Sequence, residues 1–259
     1  MLLEETPVLQ GRVAEGAPSR ALRANALTVL GCVFAAAVAA YMLVAYHLPL
    51  GGGVVMAAAV LLLFIFALVL RGLQHHGHQR FGLANTVTAV RAALVSIIAA
   101  AVFYPGAAQN IANAPWVFVA LVLVALVLDG VDGFVARREA QVSALGARFD
   151  MEVDALLILC LSTAAFLLGK AGAWVLLIGL MRYAFLLLHY PVPRLAGALP
   201  PSLWRKFVCV VQVAVLCLIL VPDIVQPVSS WLAAIALLLL CHSFAVDCFY
   251  LLTKAEVRE

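Results

Sequence analysis

Apolar residues in this chain run in long unbroken blocks, and the polar residues collect in short segments between them. Eight such blocks approach the roughly 20 residues that carry a helix across a hydrocarbon core: about 26–47, 53–70, 84–104, 116–138, 150–169, 172–190, 206–222 and 229–252. Gly51, Gly52 and Gly53 read as the turn between the first two. No stretch shows the even alternation of a barrel strand, and a backbone in lipid must satisfy its own hydrogen bonds, so only helices fit. The pattern predicts an all-α polytopic membrane protein with eight transmembrane helices. Composition agrees: 66% of residues are hydrophobic and 11% charged, and the mean hydropathy is +1.12. The first block is preceded by a polar tail over 1–25 and exceeds the length of a signal-peptide core.

The net charge of +3 says little until it is placed along the chain. Thirteen of the sixteen Lys and Arg fall on one side of the predicted topology, in both termini and in the loops after the second, fourth and sixth spans. The other side has Lys170 alone. The positive-inside rule therefore predicts both termini in the cytoplasm. The remaining two, Arg91 and Arg182, lie inside spans, each roughly 10–12 Å from the cytoplasmic end, where a charge normally faces a polar cavity or pathway. The six cysteines show no Cys-x-x-Cys spacing and read as small packing residues. His75, His76 and His78 share a short loop with Gly and Gln and read as solvated. No nucleic-acid module is present.

Where the fourth span reaches the cytoplasm, Asp129 and Asp132 stand three residues apart; after a short link, Asp150 and Asp154 stand four apart. On helices each pair projects from one face, and two facing pairs make a carboxylate cage. Such a cage repels itself unless a cation fills it, and all-oxygen ligation suits a hard divalent ion, Mg2+, Mn2+ or Ca2+, over zinc. Gly133, Ala136 and Gly146 leave room for close approach of a ligand or a neighbouring helix, and Arg137 offers a planar fork suited to phosphate oxygens. Carboxylates, metal, small residues and arginine together describe a phosphate-transfer site.

The segment resembles the signature of the CDP-alcohol phosphotransferase (CDP-alcohol phosphatidyltransferase) family, D-x2-D-G-x2-A-R-x8-G-x3-D-x3-D, at every fixed position. By chance those residues would recur on the order of once in ten million chains of this length, so the likeness is not incidental. It extends to an Asn-x-x-Thr-x-x-Arg pattern at Asn85, Thr88 and Arg91. The resemblance implies a six-helix catalytic core over 81–259, preceded by two additional helices and a linker over 26–80. It implies Asp129, Asp132, Asp150 and Asp154 as ligands of Mg2+ or Mn2+, with Asp154 also the general base. It further implies a CDP-binding set of Asn85, Thr88, Gly133, Ala136, Arg137 and Gly146, and a homodimer.

The reaction implied is attack of an alcohol oxygen on the β-phosphorus of a CDP-linked donor, CDP-diacylglycerol or similar, with release of CMP. The acceptor is a small polar alcohol. Basic residues near the cytoplasmic mouth, Arg91, Arg148, Arg182, Arg194, Arg205 and Lys206, suit one that carries phosphate. Met151 and Ala155, after the third and fourth acids, depart from the family's glycerol-phosphate and inositol-phosphate branches, so the acceptor is not copied from either. The setting implied is a bilayer, the inner membrane of a bacterium. Intramembrane charge also marks conduction paths, so a transporter of solutes or ions is the rival class, with an inactive scaffold as the third reading.

Overall fold

A computed structural model describes residues 19–48, 50–76, 78–104, 114–138, 143–188, 192 and 202–256; for residues 75, 114, 132, 134–138, 203, 206 and 254–256 it describes the backbone alone. Among the described residues the chain forms helices joined by turns, with no strand. The helices are α1 (Arg20–His47), α2 (Gly52–Arg71), α3 (Leu83–Phe103), α4 (Ala114–Arg138), α5 (Ala144–Leu167), α6 (Leu176–Leu188), α7 (Leu203–Ile219) and α8 (Val228–Glu256). Short 3₁₀ turns follow α2, over Gly72–His75, and precede α6, over Ala173–Val175. α1 starts at Arg20, so the end of the expected polar tail is helical; Ser19 caps it, its hydroxyl accepting from the Leu22 amide at 3.1 Å.

By length and apolarity together, four helices can cross a bilayer: α1, α2 with its 3₁₀ turn, α3 and α8. Pro115–Val131, Ala173–Leu188 and Phe207–Ile219 are shorter apolar helices, and α5 carries Asp150, Glu152 and Asp154 in its first half. The result is a polytopic helical protein in which, among the described residues, eight α-helices are present and four meet the full requirement of a span.

α3 is the centre of the bundle. Of its most apolar stretch, 61% is buried, against 17–28% for α1, α2 and α8. The cause is its sequence: Ala89, Ala92, Ala93, Ser96, Ala99 and Ala100 are small and buried, so α1, α2, α4 and α5 can all pack on it closely. In lipid no hydrophobic force draws helices together, and association relies on such close packing and on interhelical polar bonds. Gly82, at φ 85°, turns the chain into α3 through a backbone conformation open to glycine. α7 is tied to α8 by Gln212, 1% exposed, whose amide donates to the Ala236 carbonyl at 2.7 Å.

The helices alternate direction, so the bundle has an end that carries the acids and a far end. At the far end Lys170 explains how a lone basic residue is accommodated there. Its ammonium donates to the carbonyls of Val221 at 2.9 Å, Pro222 at 3.3 Å and Ile224 at 2.7 Å, while Ser229 donates to the Lys170 carbonyl at 2.5 Å. Lys170 thereby staples the α5–α6 turn to the α7–α8 turn. Charge-assisted bonds of this kind contribute about 1.5–3 kcal/mol each when buried, less where water reaches them. Lys170→Met is expected to destabilise the protein by about 2 kcal/mol in thermal unfolding in detergent micelles; an unchanged transition would show that the staple holds nothing.

Candidate functional site

The acids converge where α3, α4 and α5 meet, about two turns in from the ends of the helices. One carboxylate oxygen from each of Asp129, Asp150 and Asp154 lies within 4.8 Å of the other two. Asp129 comes from the second half of α4 and the other two from successive turns of one α5 face, so the i, i+4 spacing read in the sequence produces the expected pairing. Asp132 and Arg137 have side chains outside the described residues, as does Ala136, although all three belong to α4. Gly133 follows on the same helix and is half-buried.

Arg91 forms the floor beneath the acids. Its Nη1 donates to Asp129 Oδ1 at 2.5 Å, and its Nη2 to Asp150 Oδ1 at 2.6 Å and Asp154 Oδ1 at 3.0 Å. Nη2 also lies 3.2 Å from the Asp150 carbonyl. The Arg91 side chain is 1% exposed, whereas those of Asp129, Asp150 and Asp154 are 34%, 38% and 25% exposed. The arrangement is a cup with a cationic base and an anionic rim open to solvent. Self-repulsion among the acids is thus partly relieved within the protein, which the sequence reading assigned wholly to a metal. Three formal negative charges against one positive still leave two, and the donor set of carboxylate oxygens fits a hard divalent ion. Asp129, Asp150 and Asp154 are the described residues that could hold it.

Asn85 and Thr88 lie about two turns and one turn before Arg91 on α3, in that order, and are both buried. Thr88 Oγ1 donates to the Ala84 carbonyl at 3.1 Å, and Asn85 Nδ2 donates to the Phe81 carbonyl. Gly146 packs directly on Asn85: a Cβ there would lie 2.6 Å from Asn85 Oδ1 and 3.1 Å from Ser143 Oγ. The close approach that this glycine permits is therefore to a neighbouring helix.

The basic residues around the mouth are less available than their positions in sequence suggest. Arg182 pairs with Glu152 at 2.7 Å and Arg205 with Asp247 at 2.9 Å. Arg148 is exposed on α5. Arg194 and the Lys206 side chain lie outside the described residues.

One residue of the histidine loop departs from its sequence reading. His76 is 8% exposed, not solvated. Its Nε2 donates to the Arg80 carbonyl at 2.8 Å, and its Nδ1 faces Ser143 Oγ at 3.1 Å. Ser143 is the N-cap of α5 and accepts from the Gly146 amide at 3.0 Å. Ser143, three residues before Gly146 and just ahead of an apolar helix, carries a capping signal that sequence alone could have yielded; its partner 67 residues earlier could not be read that way.

A family model described as CDP-alcohol phosphatidyltransferase matches residues 81–241, which begins at the turn into α3 and includes every described residue of the cup. No curated protein and no solved structure matches the chain.

Removing the guanidinium should expose how far the acids depend on it. Arg91→Gln is expected to cost about 2 kcal/mol, below the 3–5 typical of a sealed pair because the acids are open to water. Divalent cations should recover much of that loss in a thermal melt, and far more than they add to the unaltered protein. Equal cation responses in the two proteins would mean that Arg91 does not offset the charge of the acids. Gly146→Ala is expected to destabilise by about 1–2 kcal/mol, since the added methyl meets Asn85 at sub-contact distance.

Proposed function

The chain belongs to the CDP-alcohol phosphatidyltransferase family, and from that premise we propose that it transfers a phosphatidyl group from CDP-diacylglycerol to the hydroxyl of a small polar alcohol, releasing CMP. The family supports the general reaction, transfer from a CDP-alcohol in phospholipid synthesis, and a lipid setting. The observation that carries the specific reading is the cup: three carboxylates converge over a buried arginine, two turns in from the helix ends. That depth lets a lipid-anchored donor and a water-soluble acceptor reach one point.

In this reading Asp129, Asp132, Asp150 and Asp154 hold Mg2+ or Mn2+. Bound there, the ion supplies charge neutralisation for the diphosphate oxygens. The chain's own residues do the rest. Arg91 fixes the three described carboxylates in place, so that they need little reorganisation when the donor arrives. Gly133, Ala136 and Arg137 line the donor's path along α4, and Arg137 grips its phosphate oxygens. Asp154, one turn deeper on α5 than Asp150, takes the proton from the acceptor hydroxyl as its oxygen bonds to the β-phosphorus and the bond to the CMP oxygen breaks. We assign Arg148, which is exposed on the same helix, to a phosphate on the acceptor. Thirteen basic residues on one side favour a cytoplasmic site with both termini beside it, in a bacterial inner membrane. The clustering of charge at one end, rather than along a path across the bundle, favours an enzyme over a transporter.

Purified protein in nanodiscs, given CDP-diacylglycerol, Mg2+ or Mn2+ and a panel of alcohols with and without phosphate, should release CMP only with a suitable acceptor, and chelator should abolish release. Undiminished release in EDTA would defeat the metal role, and none with any acceptor would favour a silent scaffold. Within the cup the roles should separate. Asp154→Asn is expected to lower single-turnover CMP release by roughly 10² to 10⁴ with donor affinity largely kept, whereas Asp132→Asn should weaken donor and metal binding. Equal loss of donor binding in both variants would withdraw the base role from Asp154.

A further inference from the structure

The two helices before the matched region give no described carboxylate to the cup, yet α1 and the turn that follows α2 are bonded to its framework. Asn25 Oδ1 on α1 accepts from the Phe81 amide at 2.9 Å, at the turn into α3, and the Tyr41 hydroxyl donates to the Ala93 carbonyl at 2.5 Å. The third connection reaches the helix that bears Asp150 and Asp154, and it runs through His76.

The hydrogen bonds fix the direction of each proton. Because His76 Nε2 donates to the Arg80 carbonyl, Nδ1 of the neutral ring is an acceptor, and the Ser143 hydroxyl is its donor. The same oxygen accepts from the Gly146 amide, so Ser143 is engaged on both sides, holding the first turn of α5 while being held by His76. Beside this bond Leu145 of α5 is buried against Gly72, where a Cβ would come 2.7 Å from Leu145 Cδ1; glycine is what lets the 3₁₀ turn sit so close. Asp150 lies seven residues beyond Ser143, roughly 10 Å along a continuous helix, so any tilt or rotation of that first turn is passed on to both acids. The cup requires its carboxylate oxygens to agree to fractions of an ångström, and α5 supplies two of the three described.

We propose that the turn following the two added helices is a positioning device for α5, in which His76, acting through Ser143, sets where Asp150 and Asp154 stand relative to Asp129. His76 is thus a positioning residue for the reaction proposed above, on which its effect on rate rests. Burial holds its pKa below the ordinary histidine value, against the raising effect of the bond to Arg80, and His78 adds a smaller downward push. The described groups around the ring are consistent with a neutral imidazole: His78 is the titratable neighbour, with ring centroids 5.5 Å apart, Arg80 presents its carbonyl, and α5 presents Ser143. A depressed folded pKa means that the unfolded loop binds the proton more readily. Docking is therefore at full strength above about pH 6.5 and weakens as the pH falls below that value.

The test uses the full chain in nanodiscs and four variants: His76→Ala, His76→Gln, Ser143→Ala and the double alanine. Three quantities are read: hydrogen exchange at the Gly146 amide, Mn2+ affinity by electron paramagnetic resonance without donor, and CMP release. His76→Ala is expected to speed exchange at Gly146 about tenfold, to weaken Mn2+ binding about three- to tenfold, and to lower kcat with little change in donor KM. His76→Gln, whose amide can donate to one partner and accept from the other, should restore most of each. Ser143→Ala, which also removes the acceptor of the Gly146 amide, should lose at least as much as His76→Ala, and the double variant should lose no more than Ser143→Ala alone, because both act along one path. Losses that simply add, or that glutamine does not restore, would overturn the proposal, as would wild-type Mn2+ affinity in His76→Ala. Should the unaltered protein release no CMP, the proposed reaction fails, and the exchange and Mn2+ arms still decide the positioning role.

Discussion

Three aspartates and one arginine share a space in which none of them could be held alone. A guanidinium with 1% exposure in the middle of a membrane protein has no water to solvate it, and carboxylates within 4.8 Å of one another repel. Each solves the other's difficulty, and the solution locks three helices together, because Arg91 belongs to α3, Asp129 to α4, and Asp150 and Asp154 to α5. In lipid, where no hydrophobic force draws helices together, a cluster of charge-assisted bonds joins close packing in fixing the mutual rotation of helices. The cup and the centre of the bundle are one construction.

That construction has a consequence for how the remaining polar groups are used. On the approach to Arg91, Thr88 bonds to the Ala84 carbonyl of its own helix and Asn85 to the Phe81 carbonyl just ahead of it, so they stiffen the start of α3 and shape the wall against which Gly146 rests. Arg182 and Arg205 are held by Glu152 and Asp247, which gives the mouth of the site an organised rim instead of a diffuse cationic field.

Much of this was legible in the chain itself, for reasons that differ by residue. The helices announce themselves through apolar blocks, and the pairing of Asp150 with Asp154 follows from a spacing of four, both local properties. Arg91 signalled that it needed a partner, since a charge within a span always does, but the identity of that partner depends on how α3 rotates against α4 and α5. Its bonds reach residues 38 to 63 positions away, beyond any local pattern. The sequence therefore attributes to a metal alone a compensation that the guanidinium shares. His76 was misread for a related reason: Gly and Gln neighbours describe a solvated loop, while the burial comes from Ser143 and Arg80 closing on both ring nitrogens. Helix boundaries were less legible, because an apolar run marks where a span lies and not where the helix starts; α1 begins at Arg20, ahead of the block expected over 26–47.

Lys170 gives the bundle a mechanical polarity. With its ammonium gripping three carbonyls across the far turns, and Ser229 and Gln226 reaching back to the Lys170 and Gly169 carbonyls, α5 through α8 are pinned at the end away from the acids. Rods fastened at one end spread most readily at the other, in the manner of a clothes peg.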